Sequence, residues 1–391
     1  MVGTIERRID EARAFIAARA ATMERQLAEL VEENSFTDNR EGGNEVARLL
    51  THYFAGPDLV CDTRPSRRFA DHLVFRTRAP GPPIALVGHL DTVFPPGIFE
   101  GFRRDGELAR GPGVLDMKGG LVVVGTALAA LGELGMLSEI PLCFIIVSDE
   151  EVGSPEGQKI IADTAAGATM GLVFEAGRAA DAIVTRRKGT GSISATATGR
   201  AAHAGNAHEQ GVNAIWAISR FVDRAQSLTD YARGTTVSVG RIEGGQGRNT
   251  VPDAARVEID IRFTSSAEAE RLVARLAEEA AAAASSVAGS RIEVSGGISR
   301  LPLERSAASA SLCSAYAACA RACGLGDAEA PLVGGGSDAN TLSALGIPCI
   351  DALGPRGAGF HTKEEHVELA TLVPKTEALT RFLLAAGARD R

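Results

Sequence analysis

Short, continuous apolar runs alternate with helical stretches along most of this chain. Ile84 to His89 (IALVGH), Pro141 to Asp149 (PLCFIIVSD), Gly171 to Ala176 (GLVFEA) and Ile347 to Gly354 (IPCIDALG) are four such runs. Unbroken apolar segments of this length fit strands covered on both faces, as in an α/β sheet. Gly119 to Gly135 (GGLVVVGTALAALGELG) predicts a helix between the first two. From about Thr185 the pattern changes. TGSISATATG and ARVEIDIRF alternate apolar with small or polar residues, the mark of strands with one solvated face. GVNAIWAISRFVDRAQSL and SAEAERLVARLAEEAAAAASS are amphipathic helices. A strand-helix-strand-strand-helix-strand order predicts a small α+β domain at 185–298. The first pattern returns near Ser299, so a larger α/β domain of 1–184 and 299–391 carries the smaller one as an insertion.

Composition narrows the classes. Of the 391 residues 45% are hydrophobic and 23% charged, an ordinary globular balance, and the net charge of −8 argues against a nucleic-acid or anionic-membrane binder. No apolar run approaches the roughly 20 residues of a membrane span. The N-terminal segment mixes charges throughout and reads as amphipathic helix, without the apolar centre of a secretory signal. A cytoplasmic protein is expected. The six cysteines show no ligand-pair spacing and read as reduced thiols.

The chemistry collects at the strand ends. The first run closes on His89 and Asp91, the second on Glu150 and Glu151, and the third on Glu175; the fourth leads through a glycine-rich loop to His361. Asp116 precedes the long helix. Singly, each has an ordinary reading: a packed histidine, a helix N-cap, a solvated acidic turn. Together they fall at one edge of one sheet, where open α/β folds gather ligands. Carboxylates with imidazoles and no thiolates suit zinc, or cobalt or manganese in its place. Two cations sharing one carboxylate explain so many acids, because each cation offsets their repulsion.

The motifs GHLDTV, GPGVLDMKGG, SDEEVGS, FEAG, GRAAHAG, NTVP, DIR, GGGSDA and GFHT follow one another in an order that resembles the M20 family of metallopeptidases. The likeness is greatest to its glutamate carboxypeptidase (carboxypeptidase G2-like) branch and covers essentially the whole chain. It implies a zinc-exopeptidase-like catalytic domain with a mixed central sheet flanked by helices, plus an inserted dimerisation or lid domain. It implies two zinc ions per subunit: His89 and Glu175 on one, Glu151 and His361 on the other, Asp116 bridging. Asp91 would orient the His89 ring. Glu150 would act as general base and acid in hydrolysis of an amide. The peptide after Asp116 is expected to be cis.

The same resemblance gives the smaller domain its contacts. His203 would reach the active site of a neighbouring subunit in a homodimer, Asn249 would touch substrate, and Arg262 would grip a free carboxylate. By pattern alone Arg262 shares a strand face with Glu258 and Asp260 and reads equally as a solvated charge ladder. The expected substrate is a small N-acyl amino acid or short peptide cleaved beside a free-carboxylate residue such as glutamate. An N-acyl-amino-acid deacylase, or a hydrolase of another conjugate, is the alternative, since the motifs do not choose the acyl group. Neither nucleic acid nor membrane is an expected partner. Asp149, Lys118, Lys188, His52, His72, His208 and His366 receive no role.

Overall fold

The computed structural model describes residues 2–387; residue 1 and residues 388–391, at the ends of the expected ranges 1–184 and 299–391, lie outside the described residues. The chain divides into two compact units. One runs to Arg186 and takes in Arg305–Leu332 and the chain from Ser337; the other is Arg187–Glu304 with Val333–Gly336.

In the first unit a six-stranded sheet runs in the order Leu59–Arg64, His72–Thr77, Leu142–Val147, Ile84–His89, Met170–Val173, Cys349–Ile350. The last four strands are parallel, and the first two add an antiparallel edge. Every residue of Ile84–His89 and Leu142–Val147 is buried, which is why these strands read as unbroken apolar runs. The antiparallel edge was not among the expected strands. Leu59–Arg64 keeps most of its residues exposed, so its apolar signal is weak. The N-terminal segment forms two helices, Val2–Ala17 and Ala20–Glu32, because Arg19 N–H turns to the Ile16 carbonyl and tightens the last turn. The second helix buries Met23, Leu27, Leu30 and Val31 on one face.

The helix Lys118–Glu133 is buried along nearly its whole length. Its glycines set how closely it packs: a Cβ at Gly120 would collide with the Phe174 carbonyl oxygen, and one at Gly125 with the Phe54 ring. Phe54, Phe75 and Phe144 stack at centroid distances of 5.4 to 6.2 Å and anchor the core beneath the sheet. The tight fit brings the start of this helix, and Asp116 just ahead of it, up to the strand ends.

The second unit is a four-stranded antiparallel sheet, ordered Thr236–Gly244, Ala254–Phe263, Gly189–Thr198, Arg291–Arg300. Helices Ala214–Gln226 and Ser266–Ser285 pack against it. Val257, Ile259, Ile261 and Phe263 are buried and join Phe221 and Leu276 in a separate core. Asn213 and Ser265 cap the two helices by accepting from Trp216 N–H and Glu268 N–H. A short ladder pairs Ala202–His203 with Thr250–Val251.

Candidate metal centre

Five segments of the first unit deliver the acids and imidazoles to one place. His89 ends its strand, and Asp91 follows two residues later. Glu150 and Glu151 lie in a single 3₁₀ turn, Glu150–Val152, closed by Gly153 at φ 92°. Glu175 comes two residues after the strand Met170–Val173. His361 sits at φ 63°, a left-handed conformation that sets its side chain apart from the regular backbone path. The Asp116–Met117 peptide is cis, as the resemblance implied.

The distances fall into two groups that share Asp116. His89 Nε2 lies 3.4 Å from Asp116 Oδ1 and 3.7 Å from Glu175 Oε1. His361 Nε2 lies 3.4 Å from Asp116 Oδ2 and 3.1 Å from Glu151 Oε2. Potential ligand atoms of His89, Asp116 and Glu151 lie within 4.8 Å of one another, and so do those of His89, Glu150 and Glu175. Asp91 is placed to hold two things at once. Its carbonyl oxygen and Oδ1 lie 3.0 and 3.4 Å from His89 Nδ1. Its carboxylate also accepts from Glu150 N–H and Glu151 N–H at 3.1 Å each, and from Thr37 Oγ1 at 2.8 Å. Thr37 carried no sequence signal; it fixes the carboxylate that fixes the ring.

Crowding shows in the protonation energetics. Burial opposes charging His89, yet Glu175, Asp116 and Asp91 hold the ring well above its ordinary range. Asp116 and Glu151 push His361 up to about 10. Burial works against ionising Asp116, but His361 and His89 draw it well below the usual carboxylate range. Burial, reinforced by Asp116, pushes Glu175 up to about 7, and it raises Glu151 too, although His361 opposes the shift. His89 Nε2 and Asp116 Oδ1 are buried and make no hydrogen bond. Such atoms are costly unless something coordinates them. With His89 Nδ1 engaged by Asp91, its Nε2 faces the acids as a ligand atom, so the donor set fits divalent cations.

His203, Asn249 and Arg262 belong to the second unit. His203 and Asn249 are neighbours there: Ala204 N–H bonds the Asn249 carbonyl, and His203 pairs with Thr250. His203 Nδ1 accepts from Gly205 N–H and Asn206 N–H at 3.1 and 3.0 Å. That assigns the ring proton of the neutral imidazole to Nε2, a donor on an exposed side chain. Arg262 forms a bidentate pair with Asp260, at 2.8 Å from Nε and 2.9 Å from Nη2, on the strand face where the charge ladder was expected. Three of its five N–H groups stay outside that pair.

Two acids escaped the sequence. Glu365 is buried, and its carboxylate accepts from the N–H groups of Gly113, Leu115 and Asp116; burial pushes it up to about 7. Asp149, without a role in the sequence, accepts from Glu156 N–H and Gly157 N–H at 2.7 and 3.0 Å, at the start of the helix Gly157–Ala165. It is a helix-end acceptor just below the Glu150–Glu151 turn.

Residues 85–385 match the model of peptidase family M20/M25/M40. Carboxypeptidase G2 of Pseudomonas sp. (strain RS-16) is 30% identical over 314 residues, covering 79% of this chain and 75% of that protein. A protein described as a probable succinyl-diaminopimelate desuccinylase, from Staphylococcus aureus (strain MRSA252), is 26% identical over 276 residues, 60% of this chain and 66% of its own length. A tripeptidase structure from Staphylococcus aureus superposes with a TM-score of 0.78 at 22% identity, covering 94% of this chain and 99% of that one, a likeness of fold. The family match runs from the strand that ends in His89 into the last helix, well over half of the chain, and on that match this hydrolase belongs to the M20/M25/M40 metallopeptidases.

Proposed function

We propose that the chain is a dinuclear, zinc-dependent amidohydrolase that cleaves a peptide or N-acyl bond beside an amino acid with a free carboxylate, in the manner of a glutamate carboxypeptidase. The observation that carries the reading is Asp116, with one carboxylate oxygen turned to each of two imidazoles, each imidazole also facing a second acid. His89, Asp116 and Glu175 would hold one cation, and Asp116, Glu151 and His361 the other. When bound, the pair would lower the pKa of water and polarise the scissile carbonyl. Asp91 fixes the His89 ring and the backbone of the Glu150–Glu151 turn. Glu150 accepts a proton from the attacking water as its oxygen bonds the carbonyl carbon. It then delivers that proton to the amine nitrogen as the C–N bond breaks.

The first unit is thus the catalytic one, and the second supplies lid and dimerisation functions. His203, with Nε2–H outward, donates to the developing oxyanion of a partner subunit's site; Asn249 beside it touches substrate. Arg262 binds the free carboxylate through its remaining donors. The proposed setting is the cytoplasm; among the described residues, no helix is long and apolar enough to cross a membrane. The desuccinylase relative supports a second reading, deacylation of an N-acyl amino acid by the same machinery.

Two measurements test this. The zinc-loaded protein, screened on N-acyl glutamates, aspartates, neutral amino acids and aromatic conjugates, is expected to prefer substrates with an acidic C-terminal residue. An equal rate on substrates lacking the free carboxylate would remove the role given to Arg262. Inactive His203→Ala and Glu150→Ala chains, mixed and allowed to exchange, are expected to regain up to about a quarter of wild-type activity, since mixed dimers then contain one intact site. No recovery would sink the shared site.

A further inference from the structure

We infer that Glu365 is a positioning residue for the metal centre: its carboxylate fixes the loop that presents Asp116 and ties that loop to the segment bearing His361. Gly113 N–H donates to Oε2 at 3.3 Å; Leu115 N–H and Asp116 N–H donate to Oε1 at 2.9 and 3.1 Å. Three backbone donors within four residues thus converge on one side chain that is only 1% exposed. Three N–H donors gathered on the two oxygens of one buried carboxyl set the direction as well as the distance of the loop. The last of the three holds the peptide nitrogen of Asp116 itself, one bond from the Cα that aims its carboxylate.

The backbone of Glu365 belongs to the other side of the centre. It lies four residues after His361, and Glu365 N–H bonds the Thr362 carbonyl at 3.1 Å. The next three residues form the strand His366–Glu368, which pairs antiparallel with Leu108–Arg110, Val367 opposite Ala109. The strand Leu108–Arg110 leads directly into the 111–116 loop. Two segments about 250 residues apart in sequence are therefore joined twice, by a strand ladder and by the Glu365 carboxylate. The 3.4 Å between Asp116 Oδ2 and His361 Nε2 is set across this joint. Glu365 touches no ligand atom of the centre; it acts through Asp116 and the His361 loop.

The inference rests on the metal reading above, and cobalt binding separates the two. Co²⁺ is titrated into chelator-treated wild type, Glu365→Gln and Glu365→Ala, with affinity and visible absorption recorded. The metal-free thermal midpoint is measured alongside. Glutamine retains a carbonyl oxygen for Leu115 and Asp116 but turns an NH₂ group towards Gly113 N–H, so it keeps two of three bonds. Co²⁺ affinity is expected to fall in the order wild type, Gln, Ala, with the Ala variant weaker by about 10- to 100-fold, the usual effect of removing a group that supports metal ligands. The absorption bands should shift, because they report ligand geometry, which a purely structural role would leave alone. At saturating cation, kcat should fall while KM stays near its wild-type value. A folded Glu365→Gln protein with wild-type affinity and spectrum overturns the role of Glu365, and that variant carries the test alone if Glu365→Ala does not fold. Wild-type protein that binds no Co²⁺ overturns the metal reading itself, and this inference with it.

Discussion

Glu150→Gln is expected to keep its cations and to lose about 10²- to 10⁴-fold in kcat, a barrier increase of about 3–5 kcal/mol. The substitution preserves size and shape and removes only the ability to take and return a proton. The backbone of residue 150 is held independently of its side chain, because Glu150 N–H donates to Asp91 Oδ1. Glutamine should therefore sit where glutamate sat. A competing role is built into the geometry: the Glu150 carboxylate falls within 4.8 Å of ligand atoms of His89 and Glu175, close enough to coordinate. The two roles separate cleanly. A base leaves cation content unchanged and abolishes the acidic limb of the pH–rate profile. A ligand loses bound cation in step with activity. Metal content measured alongside kcat decides, and a parallel loss of both would reassign Glu150.

The neighbouring Glu151 shows why such pairs are readable in sequence, and Glu365 shows why others are not. Glu150 and Glu151 follow an apolar run that must be a buried strand, so they had to emerge at its carboxyl end. The same logic located His89, Asp91 and Glu175. Glu364 and Glu365 are also adjacent acids, but they sit in a polar stretch, HTKEEH, where every residue looks solvated. Glu364 is exposed and Glu365 buried, and nothing local distinguishes them. What buries Glu365 is a pairing with residues 108–116, far away in the chain. Thr37 and Asp149 escaped for the same reason, since each serves a group that only the tertiary structure brings to it. Val333–Gly336, glycine-rich and flanked by residues of the first unit, packs with the second unit: Lys188 N–H donates to the Val333 carbonyl at 2.9 Å and Arg187 Nη1 to the Gly335 carbonyl at 3.1 Å. Local pattern also under-read the edge strand Leu59–Arg64, whose largely exposed residues leave little periodicity to detect.

Asp116→Asn is expected to do more damage than any other single change at the centre. In place of two equivalent oxygens facing His89 Nε2 and His361 Nε2, it offers one oxygen and one NH₂ group. One cation loses an anionic ligand and the other meets a donor instead of an acceptor. Cation content should fall below two per chain, and kcat/KM by at least about 10³-fold, since the cations supply several kcal/mol of charge stabilisation. Metal analysis beside kcat/KM checks it; two tightly bound cations in the variant would show that Asp116 does not bridge. A second readout needs no activity. In chelator-treated protein Asp116, with Glu151, raises His361 to about 10. A histidine raised in the folded state adds stability that is complete below its unfolded value near 6.5 and disappears as pH climbs through about 10. Denaturant midpoints of the metal-free wild type should therefore drift down across that interval. In Asp116→Asn the drift should be shallower but still present, because Glu151 Oε2 remains 3.1 Å from His361 Nε2. An identical slope in both proteins would mean that Asp116 does not carry the charge of His361, and the two halves of the centre would not be coupled through it.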